Sequence, residues 1–195
     1  MNFLWDNFFR KNKQGNELQT AIKDNVLFQD LSGRELALVE NIVHFRRYHA
    51  GETIFRRGDV GAGMYVIVRG RVEIFVSDPL AESDENRQVF IAQLVAGDFF
   101  GELSLVEENG RRTASALARE DTHLIGFFKP DLLQILERSP STGIKIVFRL
   151  AEVLGARLKE TTNKVSELRK AVKELREPPP LGVSGDGGGA HRSEA

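Results

Sequence analysis

Between about residues 45 and 128 the chain is cut into short β-branched and aromatic runs with glycine at their ends. This punctuation restricts the fold more than any other feature. Glycines stand at 51, 58, 61, 63, 70, 97, 101 and 110. Met64-Tyr65-Val66-Ile67-Val68 and Val72-Glu73-Ile74-Phe75-Val76 flank Arg69-Gly70-Arg71, a spacing that predicts a hairpin. In the second run Val72, Ile74 and Val76 share one face by the two-residue period of a strand. A polar stretch, Asp78 to Arg87, separates it from Val89-Phe90-Ile91-Ala92-Gln93-Leu94. Strands this short and closely spaced predict an antiparallel β-roll of jelly-roll-like form.

Helical periods flank the roll, so the predicted class is α+β. Residues up to about 48 read as helical: Met1, Leu4, Trp5 and Phe8 fall on one helical face. Ser32, with Glu35 three residues on, is a helix start whose pattern continues to about His44. Beyond Lys129-Pro130-Asp131 the chain predicts a short helix over 131–138 and a break at Ser139-Pro140. A long helix then runs from about Thr142 to Glu177, where Pro178-Pro179-Pro180 stops it. The last fifteen residues, five of them glycine, read as a disordered tail. The expected division is a helical extension over 1–25, the roll over 26–140, the long helix over 141–177 and the tail over 178–195.

Along the long helix Val147, Ala151, Leu154, Leu158, Thr161, Val165, Leu168, Val172 and Leu175 are spaced alternately by four and three. A seam held for four heptads predicts a coiled coil and a parallel homodimer. A helix packed on its own domain also explains the first half, but beyond Val165 little domain remains to pack against. Thr161 is the one polar residue of the seam, which weakens packing and so fixes register or serves another purpose.

Composition removes several chemistries. A net charge of -1 offers no bulk basicity for nucleic acid. The absence of cysteine removes disulfides, zinc–thiolate sites and cysteine nucleophiles together. No pair among His44, His49, His123 and His191 has a usual metal-ligand spacing, so no metal is expected. No apolar run approaches the ~20 residues of a spanning helix. The apolar N-terminal residues precede Arg10, Lys11 and Lys13, the reverse of a secretory signal, and a cytoplasmic location is expected.

The chemistry concentrates in Gly97-Asp98-Phe99-Phe100-Gly101-Glu102-Leu103-Ser104-Leu105 and, after a short gap, Arg111-Arg112-Thr113-Ala114-Ser115-Ala116. Backbone amides at a tight turn and helix start bind anionic oxygens. An arginine fork adds charge-assisted, two-pronged bonds to a phosphate. A carboxylate is repelled by phosphate but accepts hydrogen bonds from sugar hydroxyls. A mononucleotide would use all three.

Phe100-Gly101-Glu102-Leu103-Ser104-Leu105 with Arg112-Thr113-Ala114 resembles the phosphate-binding cassette of cyclic nucleotide-binding domains. That family includes the bacterial catabolite activator protein, the regulatory subunits of cAMP-dependent kinase and the tails of cyclic-nucleotide-gated channels. The similarity extends over about residues 26–170 and takes in the turn Gly51-Glu52-Thr53-Ile54-Phe55-Arg56-Arg57-Gly58-Asp59 and Tyr65-Val66-Ile67-Val68-Arg69-Gly70. It implies that Glu102 holds the ribose 2′-hydroxyl and that Arg112, rather than Arg111, pairs with the cyclic phosphate. Gly101, Leu103 and Thr113, with Ser104 in the same cassette, would complete the phosphate cradle. Ile74, Ile91 and Leu94 would line sugar and base. Thr161 and Thr162 match the paired hydroxyls through which the activator protein's dimer helices contact adenine, which would explain the polar break in the seam. A threonine at the place of Thr113 also contacts guanine in cGMP-selective relatives; the resemblance favours cAMP and leaves cGMP open.

Competing readings are a structural Glu102–Arg112 ion pair in an empty cassette, and surface threonines at 161 and 162. No acid–base or nucleophile constellation converges, so neither an enzyme nor a catalytic residue is expected. The residues after the long helix are too few for a helix-turn-helix, and direct specific DNA binding is not expected. The output expected is a shift in helix or dimer geometry, reported to an unidentified downstream protein. A second route is weak membrane-surface contact through Phe3, Leu4, Trp5, Phe8 and Phe9 beside the N-terminal basic residues, against the plainer reading of a helix packed on the roll or dimer mate.

Overall fold

The computed structural model describes residues 15–77, 88–107 and 110–176. The N-terminal aromatic stretch, most of the polar loop after Val76 and the glycine-rich tail lie outside the described residues. Helix α1 covers residues 15–24 and α2 Gly33–Glu40. Strands β1 (His44–Tyr48), β2 (Thr53–Phe55), β3 (Gly63–Arg69), β4 (Arg71–Ser77), β5 (Gln88–Val95) and β6 (Phe99–Phe100) follow. Helix α3 (Leu103–Val106) precedes β7 (Ser115–Ala118) and β8 (Thr122–Phe128), and the chain closes on α4 (Lys129–Arg138) and α5 (Pro140–Arg176).

The strands form two antiparallel sheets, ordered β1-β8-β3-β6 and β2-β7-β4-β5, which is the expected α+β roll. Between the sheets Ile67, Val72, Phe100, Ala116 and Leu124 make a buried cluster. Each large side chain there gains about 1.5–3 kcal/mol by leaving water. β8 is buried along most of its length, which is why it reads as a nearly continuous apolar run rather than an alternating one. On that strand Phe127 meets Phe28, from the turn segment between α1 and α2, in a T-shaped contact with ring centroids 5.7 Å apart.

Two expectations are corrected. β3 and β4 are consecutive in sequence but lie in different sheets and share no ladder, so they are not a hairpin. Gly70 turns the corner with φ +97, and a Cβ there would sit 2.8 Å from the Thr122 Cα. A side chain is excluded both by conformation and by space, and the chain crosses between layers at that point. The two-residue period identifies a strand but not its partner. His44–Tyr48, where the helical reading and the strand reading met, is strand, paired along its length to β8.

Ser32 caps α2 as expected, its backbone amide donating to Glu35 Oε2 at 2.7 Å. The same carboxylate accepts from Lys145 Nζ at 2.8 Å and from the Thr142 hydroxyl at 3.2 Å, tying α2 to the start of α5. Arg149 adds a bond to Asp30 at 2.6 Å. Pro140 sits at the first position of α5, where its missing amide costs nothing, so the helix starts slightly earlier than the pattern suggested.

The chain divides into two units, Met1–Val153 and Leu154–Ala195. In the first, α5 leaves Ile144, Val147 and Phe148 exposed. In the second, the described part is helix, with Leu158, Val165, Leu168, Val172 and Leu175 exposed.

Candidate functional site

β6 delivers Phe99 and Phe100 into the core and ends at Gly101, whose φ of +77 reverses the chain into the single turn of α3. Ser104 N donates to Gly101 O at 3.2 Å and Leu105 N to Glu102 O at 3.0 Å, closing that turn. Arg112 comes from the far side of the cassette. Its backbone is pinned to the turn after β2: Arg112 N donates to Asp59 O and Gly58 N to Arg112 O, both at 2.8 Å.

The structure thus brings Gly101, Glu102, Ser104 and Arg112 together. Glu102 and Arg112 are 8% and 7% exposed, unusual for charged residues and informative for that reason. Arg112 Nη1 donates to Gly101 O at 3.1 Å and to Ser104 Oγ at 3.2 Å. A Cβ on Gly101 would overlap Nη1, and one on Gly61 would overlap Ser104 Oγ, so two glycines make room for this arrangement. Burial lowers the guanidinium pKa from its ordinary value, and the carboxylates of Asp59 and Glu102 oppose that shift. Neighbouring Arg111 is exposed and donates to Gly58 O at 2.7 Å.

Other expected residues are placed differently. Leu103 is 38% exposed at the start of α3, and Thr113 is exposed beside Arg112. Ile74 and Leu94 pack against the core cluster. Ile91 is 54% exposed and sits at an irregularity of the β4–β5 ladder, where Ile74 faces Ala92 but Phe75 faces Phe90. Thr161 and Thr162 belong to the second unit, where their hydroxyls donate back to the carbonyls of Arg157 and Leu158 at 2.8 and 2.9 Å.

Sequence reasoning missed Phe55 and Tyr65, whose rings lie 4.1 and 5.9 Å from the Arg112 guanidinium carbon. Both stand inside segments of the family resemblance, but nothing in a linear sequence ties residues 55 and 65 to 112. A cavity of about 530 Å³ beside α1, lined in part by Asn16, Thr20, Ile67 and Gly97, shares no residue with the cassette. Among the described residues no cluster of His, Cys, Asp or Glu could hold a metal ion. Nor is any described helix long and apolar enough to cross a membrane.

Comparison with known proteins gives the family of this fold. The family model for the cyclic nucleotide-binding domain matches residues 45–139. The cyclic AMP receptor protein of Thermus thermophilus is 35% identical over 139 residues, 71% of this chain and 60% of that protein. The cAMP-activated global transcriptional regulator Vfr of Pseudomonas aeruginosa is 31% identical over 64% of this chain and 56% of its own length. The chain therefore matches somewhat over half the length of these relatives. The crystal structure of Thermus thermophilus catabolite activator protein superposes with a TM-score of 0.65 at 32% identity, covering 74% of this chain and 63% of the other. The roll with its glycine turn, buried glutamate and buried arginine belongs to the cyclic nucleotide-binding domain family, and this chain is a member of it.

Proposed function

We propose that this chain is a regulatory sensor that binds a cyclic nucleotide, with a preference for cAMP, and catalyses no reaction on it. The observation that carries this reading is Arg112: a buried guanidinium held against the Gly101–Ser104 turn, with Glu102 buried in the same turn. A buried charge is costly unless a partner compensates it, and an anion entering the cassette supplies that partner. Both hydrogen bonds the guanidinium donates among the described residues leave from Nη1. Its Nε–Nη2 edge is then the one to meet two phosphate oxygens. In this reading Glu102 accepts from the ribose 2′-hydroxyl, and Gly101, Leu103, Ser104 and Thr113 complete the cradle. Ile74, Ile91 and Leu94 line sugar and base, and Thr161 and Thr162 meet the base. The names of the two relatives, both tied to cAMP, support the choice of base.

The output follows from differential affinity. A nucleotide that binds one arrangement of roll and long helix better than another shifts the population toward it. We take the chain to act in the cytoplasm as a homodimer through α5, whose apolar stripe is exposed in the single chain, and to signal to a downstream protein rather than to DNA directly. The division into a roll over 26–140 and a signalling helix over 141–177 belongs to the same reading.

Calorimetric titration with cAMP and cGMP tests it. Saturable binding is expected, tighter for cAMP. A hydrogen bond to a charged group contributes ~1.5–3 kcal/mol, so Arg112→Ala is expected to weaken binding at least about tenfold. Absence of heat and of thermal shift with either nucleotide in the wild type would favour a scaffold with an empty cassette.

A further inference from the structure

We propose that Phe55 and Tyr65 are positioning residues for nucleotide binding, forming an aromatic shelf that sets the plane of the Arg112 guanidinium. The inference rests on the reading above that Arg112 meets the cyclic phosphate. The guanidinium carbon stands 4.1 Å from the Phe55 ring centroid and 5.9 Å from that of Tyr65. A ring face attracts a cation without using its N–H groups, and the attraction grows where water is excluded. The shelf therefore offsets part of the cost of burying Arg112 while leaving its hydrogen-bonding edges for oxygen atoms. Two constraints then define the fork. The rings set its plane, and the bonds from Nη1 to Gly101 O and Ser104 Oγ set its rotation within that plane.

The shelf is built not to move. Phe55, Tyr65 and Phe100 pack on one another with centroids 5.6–6.3 Å apart. Phe100 is 5% exposed and belongs to the core between the sheets. Phe100 also directly precedes Gly101, so the ring cluster and the phosphate turn share one piece of backbone. The edge contact of Tyr65 with Phe128, at 6.0 Å, holds the ring from another side. β2 is irregular just before the shelf: its register against β7 shifts between Thr53 and Phe55. Such an irregularity re-aims a side chain.

The test pairs binding with a signature of the guanidinium itself. In the nucleotide-free wild type, the Arg112 Nε–H proton resonance, assigned by its loss in Arg112→Lys, is expected to be displaced by the ring currents beneath it. Phe55→Leu should remove most of that displacement and weaken cAMP binding by roughly three- to thirty-fold, with thermal unfolding still cooperative. Phe55→Tyr and Tyr65→Phe keep the ring faces and should bind within about twofold of wild type. If Phe55→Leu does not fold, Tyr65→Leu carries the same expectation. Normal wild-type binding with an unchanged Arg112 resonance or unchanged affinity in the leucine variant would overturn the shelf and leave the sensor reading standing. A wild type that binds neither cAMP nor cGMP would overturn both.

Discussion

Gly97 and Gly101 carry nearly the same backbone conformation, with φ of +93 and +77, yet they stand in different surroundings. A Cβ on Gly97 would meet nothing within 4 Å, whereas one on Gly101 would overlap Arg112 Nη1 and lie 3.4 Å from Gly63 O. Left-handed backbone costs a side chain about 1–2 kcal/mol. Gly97→Ala is therefore expected to lower stability by about that amount and leave nucleotide affinity unchanged. Gly101→Ala should lose the same stability and, by displacing the guanidinium, at least about tenfold in affinity as well. Thermal unfolding and calorimetry on the two variants separate conformation from contact. At this scale the sequence was legible where one short motif holds the parts: Gly101, Glu102, Ser104 and, one loop later, Arg112. It was not legible where β2 and β3 contribute rings to the same guanidinium, because side-chain stacking across strands leaves no periodic trace.

Elements were recognisable from their periods, and their partners were not. β4 showed its inward face in Val72, Ile74 and Val76, but the short Arg69-Gly70-Arg71 link looked like a hairpin turn and is a corner between sheets. The α2 cap was read from Ser32 and Glu35, while the further work of that glutamate was hidden. Glu35 also receives Lys145 from α5, residues 110 apart in sequence, and the bond from Lys145 together with the Ser32 amide holds its carboxyl at about 2, below the ordinary 4.5. A depressed carboxylate stabilises the fold above its unfolded value and loses that contribution as pH falls from about 4.5 to about 2. Lys145 is 41% exposed, so solvent screens the pair and about 1 kcal/mol is the realistic size. Lys145→Met is expected to cost roughly that much at pH 7 and progressively less toward pH 2–3. Urea titrations at several pH values show the trend, and an equal cost at every pH would mean that lost packing rather than charge is responsible. Deeper in the roll, Leu124 is fully buried between the sheets, and Leu124→Ala is expected to cost about 2–5 kcal/mol at any pH.

For the whole molecule the question is what covers α5. Within a single chain Leu158, Leu168 and Leu175 are 69%, 66% and 87% exposed, at positions the alternating four–three spacing puts on one seam. A lone helix in water gains little from intrinsic propensity and draws its stability from burying an apolar stripe. A parallel partner offers the same stripe in the same register, which is the geometry that leucine-rich heptads select. That argument was available from sequence, because a seam is a local repeat on one element; the arrangement of the sheets, which depends on distant pairings, was not. We therefore expect sedimentation to give twice the chain mass at micromolar concentration. Leu158→Glu combined with Leu168→Glu should shift the protein to monomer, since two buried like charges per helix would face their copies across the seam. The roll should be unaffected, so thermal unfolding of the variant should keep its cooperative transition. A variant that stays dimeric would place the self-association elsewhere on the chain. A variant that turns monomeric and still binds cAMP with wild-type affinity would show that nucleotide binding needs no second copy of the chain. Monomer formation with a loss of affinity would tie nucleotide and dimer into one equilibrium, in which each ligand strengthens the other by the same factor.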